Sequence, residues 1–135
     1  MNPNPGTPEG QYPLAMALSL LAMGQLQEAH FECLRALQQE PKRAETLLLH
    51  ARILREMGRR GPAIEAYLRA SEAAPDSLEA RVNLGELYWQ GHQPEAARPH
   101  LEAALALDPD CAEAHQGMAK VLADLRQPEA ARAHS

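Results

Sequence analysis

Six histidines, two cysteines and four serines are the side chains that chemistry would call on first in this chain. Helical zinc sites want two His four positions apart, or Cys-x₂-Cys pairs, because those spacings aim two lone pairs at one metal. His30, His50, His92, His100, His115 and His134 contain no such pair, and Cys33 and Cys111 lie far apart. His30 and Cys33 are three apart, but Cys33 occupies a periodic apolar position. No metal and no other cofactor is expected, and two free thiols fit a reduced, cytoplasmic setting. Hydrolase nucleophiles sit on a Gly-flanked strand-to-helix elbow, a setting that Ser19, Ser71, Ser77 and Ser135 all lack. There is no Gly-rich phosphate loop, and the carboxylates are spread over outward helical positions. The residues therefore predict no catalysis.

The elements that would position them follow from composition. The 135 residues include 25 Ala and 20 Leu but only two Val, two Ile, two Thr, one Trp, one Phe and three Tyr. Ala and Leu head the helix scale, whereas strands want β-branched and aromatic side chains. The fold class expected is all-α. Thirteen Lys and Arg against 18 Asp and Glu leave a formal charge of -5, which argues against nucleic acid, a ligand that selects basic surfaces. The longest apolar run, Leu14 to Met23, is ten residues, and a membrane span needs about 18 or more. No Lys or Arg precedes that run, so it makes a poor signal peptide. No membrane partner is expected, and the localisation expected is cytoplasmic.

A period of 34 organises the chain. Pro41, Pro75 and Pro109 keep that step, as do Ala29, Ala63, Ala97 and Ala131, and Ala36, Ala70 and Ala104. A further column, Ala17, Ala51, Gly85 and Ala119, is always small, and Gln93-Pro-Glu-Ala-Ala-Arg98 recurs letter for letter from Gln127 to Arg132. Each unit reads as two helices. Leu47, Ala51 and Leu54 share a face, Arg59-Arg-Gly-Pro62 interrupts the chain, and Ala63, Tyr67 and Ala70 form the face of the next helix until Pro75 stops it. Pro94 and Pro128 are expected to open the second helices of the last two units, the final one spanning about two turns. Close helix approach needs Ala or Gly at the contact, while Leu20, Leu54, Tyr88 and Leu122 plug the spaces between. Pro99 falls inside a helix and should bend it locally.

Leu84-Gly85, Tyr88, Ala97, Leu101, Ala104 and Pro109 resemble the signature of the tetratricopeptide repeat. The resemblance covers residues 10–135, with repeats at about 10–43, 44–77, 78–111 and a partial 112–135, after a flexible tail at 1–9. It implies a right-handed α-solenoid of antiparallel helix pairs whose inner face carries the ligand contacts. Those contacts would come from Leu14, Leu18, Leu48, Leu49, Arg52, Arg55, Val82, Asn83, Glu86, Trp89, Gln116 and Lys120, with Ala15, Leu21 and Asp124 beside them. Such a groove grades from apolar to mixed charge and suits a peptide with a hydrophobic stretch and a few charges. The family's carboxylate clamp in chaperone adaptors needs Lys, Asn and Arg where this chain holds Leu14, Leu18, Leu49, Glu79 and Asn83, so a chaperone tail is disfavoured.

The function expected is a non-catalytic scaffold for a protein or peptide. Two alternatives remain: the N-terminal recognition arm of a larger glycosyltransferase-, sulfotransferase- or methyltransferase-type enzyme, and a small secretion chaperone. Arg52 and Arg55 could form a basic stripe or a solvated face paired through Glu56. Trp89 could be a partner anchor or part of the core. His50, at a position the family fills with Leu, reads as a half-buried neutral histidine. The short last unit would leave Met118, Val121, Leu122 and Leu125 partly covered, which fits best a fragment of a longer protein, and otherwise self-association at that end or a frayed cap.

Overall fold

A computed structural model describes the backbone of residues 12–133 and side-chain surroundings for residues 13–126. The predicted tail at 1–9 lies outside the described residues. Seven helices and no strand are found among them: α1 Tyr12–Ala22, α2 Leu26–Gln39, α3 Ala44–Glu56, α4 Arg60–Ala73, α5 Leu78–Gln90, α6 Pro94–Leu107 and α7 Ala112–Ala133. The all-α class expected from composition is the one adopted. The chain divides into two compact units between Pro75 and Asp76.

The 34-residue period is visible in how the helices end. Gly24, Gly58 and His92 occupy one column and all take positive φ, at 78°, 76° and 61°. Each is followed by a backbone N–H that reaches back over the turn: Gln25 to Leu20, Arg59 to Leu54 and Gln93 to Tyr88, at 2.9–3.0 Å. This is the Schellman arrangement, in which a left-handed residue lets two late N–H groups cap orphaned carbonyls. The second helix of each pair ends differently. Glu40, Ala74 and Asp108 leave the helical region just before Pro41, Pro75 and Pro109, because proline's ring excludes the α conformation from its predecessor.

The fourth copy departs from the plan. The column that carries Gly24, Gly58 and His92 holds Arg126, and α7 runs on to Ala133 without a break. The second helix expected to open at Pro128 is therefore a continuation of the first. Arg126 lacks the ease with which Gly takes positive φ, although His92 shows that a side chain in this column can adopt it. Pro99 likewise leaves α6 helical from Pro94 to Leu107.

In the N-terminal unit, Ala17, Ala29, Cys33, Leu49 and Ile53 form a buried cluster under Leu14, Leu20, Leu21 and Met57. In the C-terminal unit, Ala97, Leu101 and Val121 are buried beneath Tyr88, Trp89, Met118 and Leu125. Val121, expected to be half-covered, is fully buried there. Ala119, by contrast, is exposed although Ala17 and Ala51 in its column are sealed; it belongs to the last helix described, with no succeeding helix to pack on it. Gly85 shows why that column must be small: a Cβ there would fall inside the Leu101 side chain.

Candidate binding cleft

Helices α5, α6 and α7 of the C-terminal unit enclose a cleft of about 120 Å³. Leu101 of α6 forms its floor, reached between Gly85 of α5 and Gly117 of α7. Val82 and Trp89 wall it on α5, and Glu86, Glu113, Gln116 and Lys120 complete the lining. One wall of the cleft carries no side chain. Gly117 stands one period after Asn83 and two after Leu49, and both of those side chains are buried. Gly117 carries no side chain, and Leu101 stands where one would begin: a Cβ there would lie 3.0 Å from Leu101 Cδ2 and 3.2 Å from Cδ1.

Helical spacing sets the chemistry of the lining. Val82, Glu86 and Trp89 fall on one face of α5 at i, i+4 and i+7, and Glu113, Gln116 and Lys120 answer from α7. The Lys120 ammonium lies 4.9 Å from the centre of the Trp89 ring, within reach of a cation–π contact. Glu86 accepts only a long 3.4 Å hydrogen bond from Gln90 Nε2. Glu113 accepts one from the Cys111 thiol at 3.4 Å. Both carboxylates are exposed, and neither forms an ion pair with the described residues. Trp89 is half-buried, and its indole nitrogen is buried with no acceptor among the described residues. It therefore serves in the core cluster and lines the cleft at once.

Five of the predicted contact residues, Val82, Glu86, Trp89, Gln116 and Lys120, are thus gathered around one opening. Asn83 is not among them. It is 7% exposed and donates from Nδ2 to the Glu79 carbonyl at 2.8 Å. Leu49 is 2% exposed and belongs to the N-terminal core. Both side chains are buried because their column faces the interior of the helix packing.

The remaining predicted residues lie in the N-terminal unit. Leu18 is exposed, Leu14 and Leu48 are half-buried, and Leu14 rests on the core cluster. Arg52 and Arg55 are half-buried and both are engaged, Arg55 with Glu56 at 3.1 Å. This unit has wider, shallower depressions, one lined by Met16, Leu20, Phe31 and the polar Gln27, Glu28 and Glu32.

Two histidine sites escaped the sequence. His30 of α2 and His50 of α3 meet with their Nε2 atoms 3.2 Å apart. Their ring centres are 5.2 Å apart and their planes differ by 5°, so the rings lie nearly end to end and one Nε2–H donates to the other. Burial, the facing His30 and the nearby Arg69 push His50 down to about 4, and burial with Arg59 lowers His30. Neutral His50 was the expected form; its partner, 20 residues away on another helix, had no local signal. In the other unit His100 lies flat against Tyr88 with ring centres 5.6 Å apart and faces Arg81 Nη1 through Nδ1 at 3.1 Å. Burial and the Arg81 charge lower its pKa. No group of three or more His, Cys, Asp or Glu able to hold a metal occurs among the described residues. No helix there is long and apolar enough to cross a membrane.

Comparison with known proteins places this geometry in a family. No curated protein matches the sequence. Solved structures do: the Sgt2 tetratricopeptide-repeat domain of Aspergillus fumigatus has a TM-score of 0.81 and 17% identity, over 95% of this chain and 87% of that one. The first such domain of Spaghetti (RPAP3), bound to an HSP90 peptide, has a TM-score of 0.82 and 16% identity, over 87% and 93%. An O-GlcNAc transferase mutant of Thermobaculum terrenum has a TM-score of 0.73 and 29% identity, over 84% of this chain and 22% of its own. The tetratricopeptide-repeat family model matches residues 20–83 and 88–134. With three Schellman turns and three proline stops in step, the chain belongs to the tetratricopeptide repeat family.

Proposed function

We propose that this protein is a non-catalytic scaffold that holds a peptide segment of a partner, with the cleft of the C-terminal unit as a principal contact. The observation that carries this reading is the convergence of Val82, Glu86, Trp89, Gln116 and Lys120 on one opening. A concave, mostly apolar site with a few convergent polar groups is the usual form of a binding pocket. Leu18, Leu48, Arg52 and Arg55 are proposed as a second contact region on the N-terminal unit. The Spaghetti domain shares the fold and holds an HSP90 peptide, which supports peptide binding as the class of activity. A C-terminal carboxylate is not the ligand proposed here, since Leu14, Leu18, Leu49, Glu79 and Asn83 offer no cationic clamp.

Selection from a random peptide library displayed on phage tests the reading. Binders are expected on the immobilised chain, with recovery falling at least about tenfold on Trp89→Ala if the indole is an anchor. Equal recovery on Trp89→Ala and on Arg52→Ala would overturn it. The 29% identity to the Thermobaculum enzyme favours one second reading, a recognition arm within a larger glycosyltransferase-type chain. Sequencing the gene past Ser135 decides it: a catalytic domain in frame supports the arm, and an immediate stop codon removes it.

A further inference from the structure

We infer that the cleft between α5 and α7 takes one branched aliphatic side chain of a peptide, and that the residue beside it in the peptide is Lys or Arg. This rests on the peptide-scaffold reading and gives its ligand a chemistry. Size sets the first half. A buried apolar cavity of about 150 Å³ holds a benzene molecule. An opening of about 120 Å³ is therefore of a size to take one Leu, Ile or Val side chain. Its depth is apolar, with Leu101 below and Val82 and Trp89 at the sides. An incoming aliphatic group would lie on Leu101 between Val82 and Trp89 and gain dispersion contacts with all three.

Charge sets the second half. Glu86 and Glu113 stand exposed at the cleft without cationic partners among the described residues. The one cation of the lining, Lys120, already lies over the Trp89 ring. The local balance is one negative charge, and the surrounding unit is strongly acidic: ten Asp and Glu against five Lys and Arg in residues 76–135. An acidic peptide would meet two carboxylates and a committed ammonium. A basic residue flanking the aliphatic anchor meets both carboxylates and the long-range field of the unit.

The test is the sequence content of peptides recovered from a random phage library on the full chain, followed by affinity measurement with the recovered peptides through the fluorescence of Trp89, the single Trp. The expected pool is enriched in Leu, Ile or Val next to Lys or Arg. Gly117→Leu fills the cleft and should weaken those peptides at least about tenfold, the worth of one buried aliphatic side chain. Gly117→Ala adds only a methyl against Leu101 in a helix that prefers Ala to Gly, so it should stay folded and weaken them by a smaller factor. Glu86→Gln with Glu113→Gln should cost about two- to fivefold, vanish at high salt and remove the basic preference while the aliphatic one persists. A pool rich in acidic or aromatic residues, or affinity unchanged by both Gly117 variants, overturns the inference. Peptides that ignore Gly117 but are lost on Leu18→Asp would overturn it and leave the scaffold reading standing. An empty pool would overturn both.

Discussion

Residues 1–75 carry eight acids and eight bases, whereas residues 76–135 carry ten acids and five bases, so the whole net charge of -5 belongs to the second unit. The exposed large apolar side chains divide the other way. Met16, Leu18, Met23, Phe31 and Leu34 lie in the first unit, and among the described residues only Leu107 lies in the second. The two units nevertheless share one helical plan, one turn geometry and one set of sealed alanines. The period dictates the backbone and the small contact columns, and it leaves the surface free to diverge. One column shows how far: its side chain is a core Leu at position 49 and absent at Gly117, which lines the cleft of the second unit beside Leu101.

That contrast can be broken most severely at the column itself. Leu49→Ala should destabilise the protein by about 2–5 kcal/mol, the usual result of emptying a core Leu site. Gly117→Ala in the same column should stay within about 1 kcal/mol of neutral, the helix propensity of Ala set against a tight 3.0 Å contact with Leu101. Urea unfolding followed by circular dichroism checks both, and equal losses at the two positions would remove the distinction. The neighbouring small column predicts a loss. Gly85→Ala would drive a methyl into Leu101 and should cost about 1–3 kcal/mol as overpacking, read through the Trp89 signal of that unit.

The pH response sharpens the comparison next. His50 titrates at about 4 when folded and near 6.5 when unfolded. Between those values the unfolded chain binds the extra proton. Stability is therefore full above about pH 6.5 and declines as pH falls toward 4. The half-buried position of His50 discounts the shift to about 1–2 kcal/mol. His50→Leu should flatten most of that slope in denaturation curves taken across this range. His100 keeps a residue of the same sign in the second unit, since its pKa is also lowered. A slope unchanged in His50→Leu would show that the His30–His50 pair does not set it.

Smaller effects lie in the turns and on the surface. Gly58→Ala places a Cβ at φ 76° and should cost about 1 kcal/mol, while His92→Gly, at φ 61°, should return a similar amount. Thermal melting would register the two as shifts of opposite sign. Arg98→Ala breaks the 2.8 Å pair with Glu102, but both side chains are half in water, so less than about 0.5 kcal/mol should be lost.

The legibility of this protein in its sequence follows physical range. Columns at a step of 34 reveal the helix pairs because each small residue answers a local contact, and the prolines reveal the ends because they act on the next residue back. Candidate contacts at Val82, Glu86, Trp89, Gln116 and Lys120 were readable through family resemblance and helical spacing. The burial of Leu49 and Asn83 was not legible, because the edge of an apolar stripe cannot be told from its surface margin until a neighbouring helix is laid on it. The extension of α7 was also missed. The repeated Gln127-Pro-Glu-Ala-Ala-Arg132 pointed to a new helix, but α7 continues through it to Ala133.

By itself the sequence determined the all-α class, the unit length and the helix ends at Pro41, Pro75 and Pro109, because these depend on interactions within a few residues. Only the tertiary structure decided that Gly117 opens onto Leu101, that Lys120 lies on Trp89 and that His30 reaches His50. Those contacts join residues on different helices. Their distances depend on how tightly whole helices pack, which is set by the sum of many side-chain volumes rather than by any one of them.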